Sequence, residues 1–178
     1  MEIGFLAYPR LTALELVAPW EVLTRLPESR AHLVWTRPGP ILAERGIELT
    51  VTTAFEDCPP LDVLVIPGGP GQASLMRHAL LIDFLRASSG SARFVCAVGS
   101  GLLLLAQAVP LTSKRVAATG DVAEQVRAAG ARITADAFTL DGNLATAAAS
   151  AAALEMALAV AARLGGPEVA GAVRREVA

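Results

Sequence analysis

The sequence is poor in aromatic residues, in cysteine and in histidine. Aromatic side chains make up only 4% of the 178 residues, while 53% are hydrophobic, so the core must be built mainly from Ala, Leu and Val. The two cysteines, Cys58 and Cys96, could form one disulfide, but no secretory leader precedes them, and we expect free thiols. No cluster of histidines, cysteines and carboxylates has metal-ligand spacing, so we expect neither a metal nor a cofactor.

An excess of one charge is also lacking. The 17 acidic and 15 basic residues are interspersed and give a net charge of −2, so we expect no nucleic-acid partner and no anionic membrane surface. The apolar run Leu102–Ala106 is far too short to span a bilayer, and Met1–Leu6 lacks the basic start of a signal peptide. These features predict a cytoplasmic protein, and the length predicts a single domain over residues 1–178.

Short apolar runs alternate with helical patterns, which is typical of a parallel sheet with crossover helices. The predicted strands are Ile3–Ala7, Ala31–Thr36, Leu61–Ile66, Arg93–Val98, Arg115–Ala118, Ala131–Thr134 and Phe138–Leu140, with a small hairpin at Ile41–Leu42 and Ile47–Val51. The predicted helices are Leu11–Leu26, one that ends near Arg86, Leu102–Ala108, Asp121–Ala129 with Asp121 as N-cap, Ala147–Arg163 and Glu168–Val177. The predicted fold is α/β, a doubly wound, mostly parallel sheet sandwiched by helices.

Two strand-to-turn junctions are candidates for a site. In the first, Pro67–Gly71, three glycines follow a buried strand and let backbone N–H groups approach a ligand, although such turns are common without one. In the second, Val98–Leu102, a strand turns sharply into a helix, whose N-terminus favours negative charge. Both junctions lie at carboxyl ends of strands, where open α/β sheets bind their ligands, so together they predict one cleft.

The order of these parts resembles the ThiJ/PfpI superfamily, which shares the sheet of class I glutamine amidotransferases. The resemblance covers nearly the whole chain and is closest to the isonitrile hydratase branch. It rests on Met1–Leu6, Leu14–Leu16, Pro19–Leu23, His32–Trp35, Asp57–Leu64 and Pro67–Gly71.

The resemblance implies an acid on the first helix, a cysteine at the elbow Val98–Leu102, and backbone N–H donors at the turn Pro67–Gly71. Glu15 falls at the acid position, where the hydratase branch would have Asp. The family pattern at the elbow runs roughly Val-Cys-Thr-Gly, and laying it on the chain without gaps pairs the cysteine with Gly99 and the threonine with Ser100. The resemblance therefore implies that this chain has no nucleophile at the expected position.

Other departures point in the same direction. The family commonly shows Thr-Thr-His-Trp after the next strand, whereas this chain has Ala117–Gly120, and a glycine-rich loop before the long helix is replaced by Ala147–Ala149. A nucleophile elbow holds a non-glycine residue in a strained backbone conformation that costs about 1–3 kcal/mol, and glycine relieves that strain. The resemblance leaves these residues for binding a small polar ligand: Gly68, Gly69, Gly99, Ser100 and Thr119.

The chain offers few replacements for the missing thiol. Cys96 lies inside a predicted strand and Cys58 precedes two prolines, so packing roles are favoured for both. Ser100 is the stronger candidate, because a slip of one residue would place it at the elbow. A serine nucleophile needs an adjacent base, however, and His32 falls in a predicted strand while His78 is expected on the solvent face of a helix.

Two functions remain open from the sequence. In the first, which we favour, the protein has lost cysteine-based catalysis and keeps at most a small-ligand pocket, in which a buried, protonated Glu15 donates a hydrogen bond. In the second, it is an active hydro-lyase on isonitriles or similar small electrophiles, using Glu15 with Ser100 or with an activated water. General acid–base help alone typically supplies only ~10²–10⁴ in rate, which favours the first.

The resemblance also implies a homodimer. A third class, transcription regulators that join this fold to a helix-turn-helix module, is set aside because the 178 residues leave no room for such a module and no basic surface is present.

Overall fold

The computed structural model describes residues 1–177. A seven-stranded sheet lies at the centre, and helices cover its two faces. The strands are β1 Glu2–Leu6, β2 Arg30–Trp35, β3 Gly39–Leu42, β4 Glu48–Val51, β5 Thr53–Ala54, β6 Val63–Ile66, β7 Phe94–Val98, β8 Arg115–Ala117, β9 Arg132–Thr134, β10 Phe138–Asp141 and β11 Leu144–Ala147. The helices are α1 Ala13–Leu23, α2 Ala79–Ser91, α3 Gly101–Ala108, α4 Gly120–Ala128, α5 Ala153–Gly165 and α6 Pro167–Val177.

The order of strands in the sheet is β10-β11-β7-β6-β1-β2-β5, and only the β10–β11 pair is antiparallel. The predicted mostly parallel sheet is therefore confirmed. From β1 the chain goes to β2 on one side and later returns to β6 on the other, so the connections diverge between β1 and β6. Open α/β sheets bind ligands at the carboxyl edge near such a switch point.

The central strands are buried on both faces, as parallel sheets require. All four residues of β6 are fully buried, and only the first residue of β7 is partly exposed. The strands β6, β7 and β11 end at about the same level, because Ile66 pairs with Ala97 and Val98 pairs with Ala147. The segments that follow β6, β7 and β11 therefore emerge side by side at one edge.

The predicted alanine-rich helix beginning at Ala147 was wrong in its first part. Ala147 is instead the last residue of the buried strand β11, Leu144–Ala147, which pairs with β7 and β10. A 3₁₀ turn over Ser150–Ala152 leads into α5. Small residues such as Ala have weak strand propensity, and the pairing with two neighbours overrides it here.

The predicted helix ending near Arg86 also divides in two. A 3₁₀ segment covers Pro70–Leu75, and α2 begins only at Ala79. The ring of His78 caps α2 by accepting a hydrogen bond from the Leu81 N–H at 3.2 Å. That cap starts a new helix and places the ring 5.9 Å from the Trp35 ring, so the expectation that His78 lies on the solvent face was wrong.

One further expectation needs correction, and two short strands lie outside the central sheet. Thr119, not Asp121, is the N-cap residue of α4, and Asp121 lies in the first turn of that helix. The strands β8 and β9 form a separate parallel pair rather than joining the central sheet. Within residues 1–177, no helix combines the length and the apolar character needed to cross a membrane.

Candidate active site

Glu15 lies in the first turn of α1 and is only 8% exposed. Its two carboxyl oxygens accept hydrogen bonds from two distant parts of the chain. Oε2 accepts from the Gly68 N–H at 2.7 Å, and Oε1 accepts from the Ser150 hydroxyl at 3.0 Å. The carboxyl group therefore joins the segments that follow β6 and β11.

Burial raises the pKa of the Glu15 carboxyl, because the charged form loses its hydration. The hydrogen bonds from Gly68 and Ser150 act in the opposite direction, and the negative charge of Glu44 adds a small upward effect. The predicted burial of Glu15 is thus confirmed, and burial acts on its pKa in the predicted direction. Both carboxyl oxygens accept hydrogen bonds in the structure, so the predicted donation from Glu15 to a ligand stays a prediction.

Gly99 forms the elbow between β7 and α3, and its φ of +51° lies in the left-handed region that favours glycine. Its N–H donates to the Ala147 carbonyl at 3.0 Å, which fixes the elbow against β11. A Cβ atom added at Gly99 would lie 2.9 Å from Oε1 and 3.1 Å from Oε2 of Glu15. A side chain at this position would therefore begin in tight contact with the end of the Glu15 side chain, which would have to shift.

The turn Pro67–Gly71 presents two backbone donors to the same place, and side chains already accept from both. The Gly68 N–H donates to Glu15, and the Gly69 N–H donates to the Ser100 hydroxyl oxygen at 3.0 Å. A Cβ atom added at Gly68 would lie 2.7 Å from Glu15 Oε2 and 2.7 Å from Ser100 Oγ, so these two oxygens converge on one point. Donors of this kind stabilise negative charge that develops on a substrate, but here they are engaged within the protein.

Ser150 is the residue that the sequence analysis missed. It follows β11 and begins the 3₁₀ turn, so its hydroxyl reaches Glu15 across 135 positions of sequence. The only local signal was a hydroxyl residue breaking a run of alanines in Ala147–Ala153. Without β11 in the predicted sheet, that signal could not be connected with α1.

The predicted site residues divide into two groups. Glu15, Gly68, Gly69, Gly99 and Ser100 come together at the carboxyl edge of β6 and β7, as expected. Thr119 is exposed after β8, and among the described residues no hydrogen bond links it to this group.

The histidines and thiols lie elsewhere. His32 contacts Glu2, with 2.7 Å between Nε2 and Oε2, and is in β2 as predicted. Cys96 is fully buried, which confirms its predicted packing role, and burial raises the pKa of its thiol to about 12. Burial and the charge of Glu2 raise the pKa of Cys58 to about 11. Both thiols therefore hold their protons near neutral pH.

Replacing Glu15 with Gln should change the dependence of stability on pH. Because the folded-state pKa of Glu15 is raised above its ordinary value of 4.5, the unfolded chain loses this proton first as the pH rises. The wild type therefore loses stability from about pH 4.5 upward until the folded-state pKa is passed, and Glu15→Gln lacks this component. Urea unfolding of both proteins between pH 4 and pH 8 should show the variant gaining relative stability over that window.

The ionisable groups that face Glu15, which are Glu44 and Tyr8, are present in both the wild type and Glu15→Gln. The difference between the two proteins therefore reports on residue 15. The amide can accept from the Gly68 N–H through its oxygen and donate to the Ser150 oxygen through its nitrogen. A difference in the free energy of unfolding that stays flat or shrinks as the pH rises would contradict a raised Glu15 pKa.

This is an open α/β protein of the flavodoxin-like class. Two features define the class: the connections diverge at β1, and an elbow between a strand and a helix lies at the carboxyl edge. Its site is built from a buried carboxyl group, a glycine elbow and a turn with two N–H donors. The chain belongs to the DJ-1/PfpI family, whose model matches residues 1–163, and this confirms the predicted superfamily.

Individual relatives agree with this assignment. The chain is 37% identical over 177 residues to the isonitrile hydratase of Pseudomonas putida, covering 99% of this chain and 78% of that protein. A THiJ/PfpI family protein from Pseudomonas syringae superposes with a TM-score of 0.91 at 25% identity, over 99% of this chain and 74% of that one. Schizosaccharomyces pombe DJ-1 has a TM-score of 0.86 at 17% identity, over 100% and 99% of the two chains. The protein is therefore an isonitrile hydratase-like member of the family.

Proposed function

We propose that this protein has lost the cysteine-based chemistry of its hydratase-like relatives and keeps the site as a pocket for a small polar ligand. Gly99 stands at the position of the nucleophilic cysteine in the proposed alignment. The observation that carries the proposal is the Glu15 carboxyl, whose oxygens lie 2.9 and 3.1 Å from where a Cβ at Gly99 would be. The Glu15 carboxyl group would therefore have to shift to admit a thiol at this position.

The hydrogen-bond donors support the same reading. Hydration adds water to an isonitrile and gives an N-substituted formamide, and a nucleophilic route needs an activated nucleophile together with stabilisation of the developing charge. The Gly68 and Gly69 N–H groups, which face the elbow, are bound to Glu15 and Ser100. Neither donor is available to a substrate without breaking an existing hydrogen bond.

Within residues 1–177, no thiolate and no serine paired with a histidine lies at the elbow. The thiols of Cys58 and Cys96 are held protonated by burial. Ser100 accepts the Gly69 N–H, and the ring of each of the chain's two histidines contacts a different group: His32 contacts Glu2, and His78 contacts the Leu81 N–H. A serine without an adjacent base is a weak nucleophile.

The active hydro-lyase is the second candidate, favoured by one observation. Glu15 combines a raised pKa with a position close to Ser100 Oγ, which suits a general acid or base. In that case Glu15 would activate a water, or the hydroxyl of Ser100, for attack on a small electrophile. The homodimer and the cytoplasmic location remain proposals that accompany either function.

The deciding experiment is an isonitrile hydration assay on the wild-type protein, with the Pseudomonas putida enzyme as positive control. We expect no formamide above the uncatalysed background, because no thiolate is available and the donors are occupied. Glu15→Gln and Ser100→Ala are assayed beside it. Hydration by the wild type that is lost in either variant would overturn the proposal in favour of the active hydro-lyase.

A further inference from the structure

A cavity of about 150 Å³ lies at the amino edge of the central sheet, at the opposite ends of the strands from the elbow. Its walls include Val95 near the start of β7, Leu144 at the start of β11 and Leu105 on α3. These three side chains are at most 5% exposed, so the interior of the cavity is apolar. A cavity of this volume accommodates an apolar body of about the size of benzene. It is therefore large enough for a short aliphatic chain.

Two polar residues mark the mouth of this cavity. Lys114, the only lysine in the sequence, lines the cavity just before β8, and no ion pair engages its ammonium group within residues 1–177. Asn143 is exposed, and its carbonyl accepts from the Val95 N–H at 2.9 Å, which fixes it beside β7. An ammonium group and a side-chain amide can both donate hydrogen bonds to an anion.

The charges along this part of the edge favour an anion as well. Arg93, Lys114, Arg115 and Arg132 begin or immediately precede strands here, so four basic residues lie at one end of neighbouring strands. Asp141 is the one acid within β7 to β11, and its Oδ2 accepts from the Arg115 N–H at 2.8 Å. The excess of positive charge attracts a negatively charged head group.

Ser89, on α2, supplies a further donor. Its side chain lines the cavity, and its hydroxyl oxygen is buried without a hydrogen-bond partner within residues 1–177. Buried hydroxyl groups are almost always hydrogen-bonded, because leaving one unpartnered is destabilising. Rotation about the Cα–Cβ bond turns this hydroxyl towards the cavity. An acceptor bound there would therefore satisfy a group that the protein itself leaves unpartnered.

We propose that this cavity is a second binding site, which takes a short aliphatic monocarboxylate of about four to six carbons. The alkyl chain lies against the apolar walls, and the carboxylate pairs with Lys114 while it accepts from Ser89 and Asn143. Lys114 is the one cation in the cavity lining, which matches a single negative charge rather than the two of a phosphate ester. The site lies at the opposite edge of the sheet from the elbow, so it does not depend on the proposed function.

Sodium pentanoate is the probe for the first test, an isothermal titration with pentanamide as the neutral ligand of the same shape. We expect saturable binding of pentanoate, and binding of pentanamide that is about fivefold weaker or more, because hydrogen bonds to a charged group are the stronger ones. In Lys114→Met, which keeps an unbranched side chain without the charge, the preference for pentanoate should disappear. Arg175→Met is the matched control and should keep the preference, since it removes an exposed charge from α6, which packs on α5 and α1.

Two variants of the lining test the place of binding. Val109→Phe fills the cavity and should weaken pentanoate binding by about tenfold or more, because even two buried methylene groups contribute that much. Ser89→Ala should weaken it by about fivefold, the effect of one hydrogen bond. The same variant should not lower the free energy of unfolding of the free protein, because the hydroxyl that it removes has no partner there. A merely structural role for Ser89 would give the opposite pair of results.

The proposal is overturned if pentanoate does not bind saturably, or if pentanamide binds as well as pentanoate to the wild type. It is also overturned if folded Lys114→Met keeps the preference for pentanoate, or if folded Val109→Phe binds as well as the wild type. The Lys114→Met result decides the question even where Val109→Phe does not fold. The hydration assay reports on the elbow alone, so its outcome neither supports nor removes this site.

Discussion

The double variant Glu15→Asp/Gly99→Cys is expected to hydrate isonitriles, while Gly99→Cys alone stays inactive. In the single variant, the new Cβ would lie 2.9 Å from Glu15 Oε1, so the carboxyl group would have to shift to admit the cysteine side chain. Shortening residue 15 by one methylene withdraws the carboxyl group from the elbow and releases the Gly68 N–H to which it is bound at 2.7 Å. The double change thus supplies the nucleophile, its space and a donor together.

The measurement is the initial rate of formamide formation by both variants and the wild type. We expect the double variant to exceed the single one by at least ~10²-fold, equivalent to about 2.7 kcal/mol of activation free energy. Thermal unfolding of each variant serves as the control, since a non-glycine residue at a φ of +51° costs about 1–3 kcal/mol. Equal activity of the single and double variants would show that Glu15 does not block the elbow.

A folded double variant without activity would have a different meaning. The segments Ala117–Gly120 and Ala147–Ala149 also depart from the family pattern, and the loss would then extend to them. An active double variant would mean that the site lacks only the cysteine side chain and the space for it. A folded but inactive double variant would mean that the site has changed throughout.

Gly69→Ala is expected to be strongly destabilising. Gly69 has a φ of +131°, and an added Cβ would meet the backbone at Thr12 N and lie 2.7 Å from the Arg10 carbonyl oxygen. Backbone atoms cannot move aside as the end of a flexible side chain can, so the turn must separate from the start of α1. That separation would also disturb the hydrogen bond from the Thr12 N–H to the Gly68 carbonyl.

Gly39→Ala provides a closely matched control. Gly39 has a φ of +134°, yet an added Cβ would have no atom within 4 Å. Both variants share the conformational strain of about 1–3 kcal/mol, and only Gly69→Ala adds overpacking, typically about 1–3 kcal/mol more. Urea unfolding should therefore show a clearly larger loss for Gly69→Ala, and equal losses would mean that the turn yields without cost.

Glu15 and Gly99 are best understood as one compensated pair. In the proposed alignment, Gly99 stands where the family has cysteine and Glu15 is one methylene longer than the expected aspartate, and the Glu15 oxygens lie 2.9 and 3.1 Å from where a Cβ at Gly99 would be. The buried carboxyl group keeps two hydrogen bonds, so it is not left unsatisfied. A side chain at residue 99 beside Glu15 would leave a clash, and aspartate at residue 15 beside Gly99 would leave an unfilled space. The reversal therefore needs both residues.

The sequence by itself determined the class of fold and the centre of the site. The apolar runs now seen as β6 and β7 are continuous and end directly at Pro67 and Gly99, so their local pattern was sufficient. The positions of Glu15, Gly68 and Gly99 followed from the family resemblance, because each belongs to a motif that neighbouring residues define.

Only the tertiary structure decided the remainder. Leu144–Ala147 continues an alanine-rich run and has no strand signal of its own, so its role as β11 comes from pairing with β7 and β10. That pairing brings Ser150 within 3.0 Å of Glu15 and places the carboxyl group against Gly99. Local pattern specifies which element a segment forms, but contacts between residues 135 positions apart depend on the order of strands in the sheet.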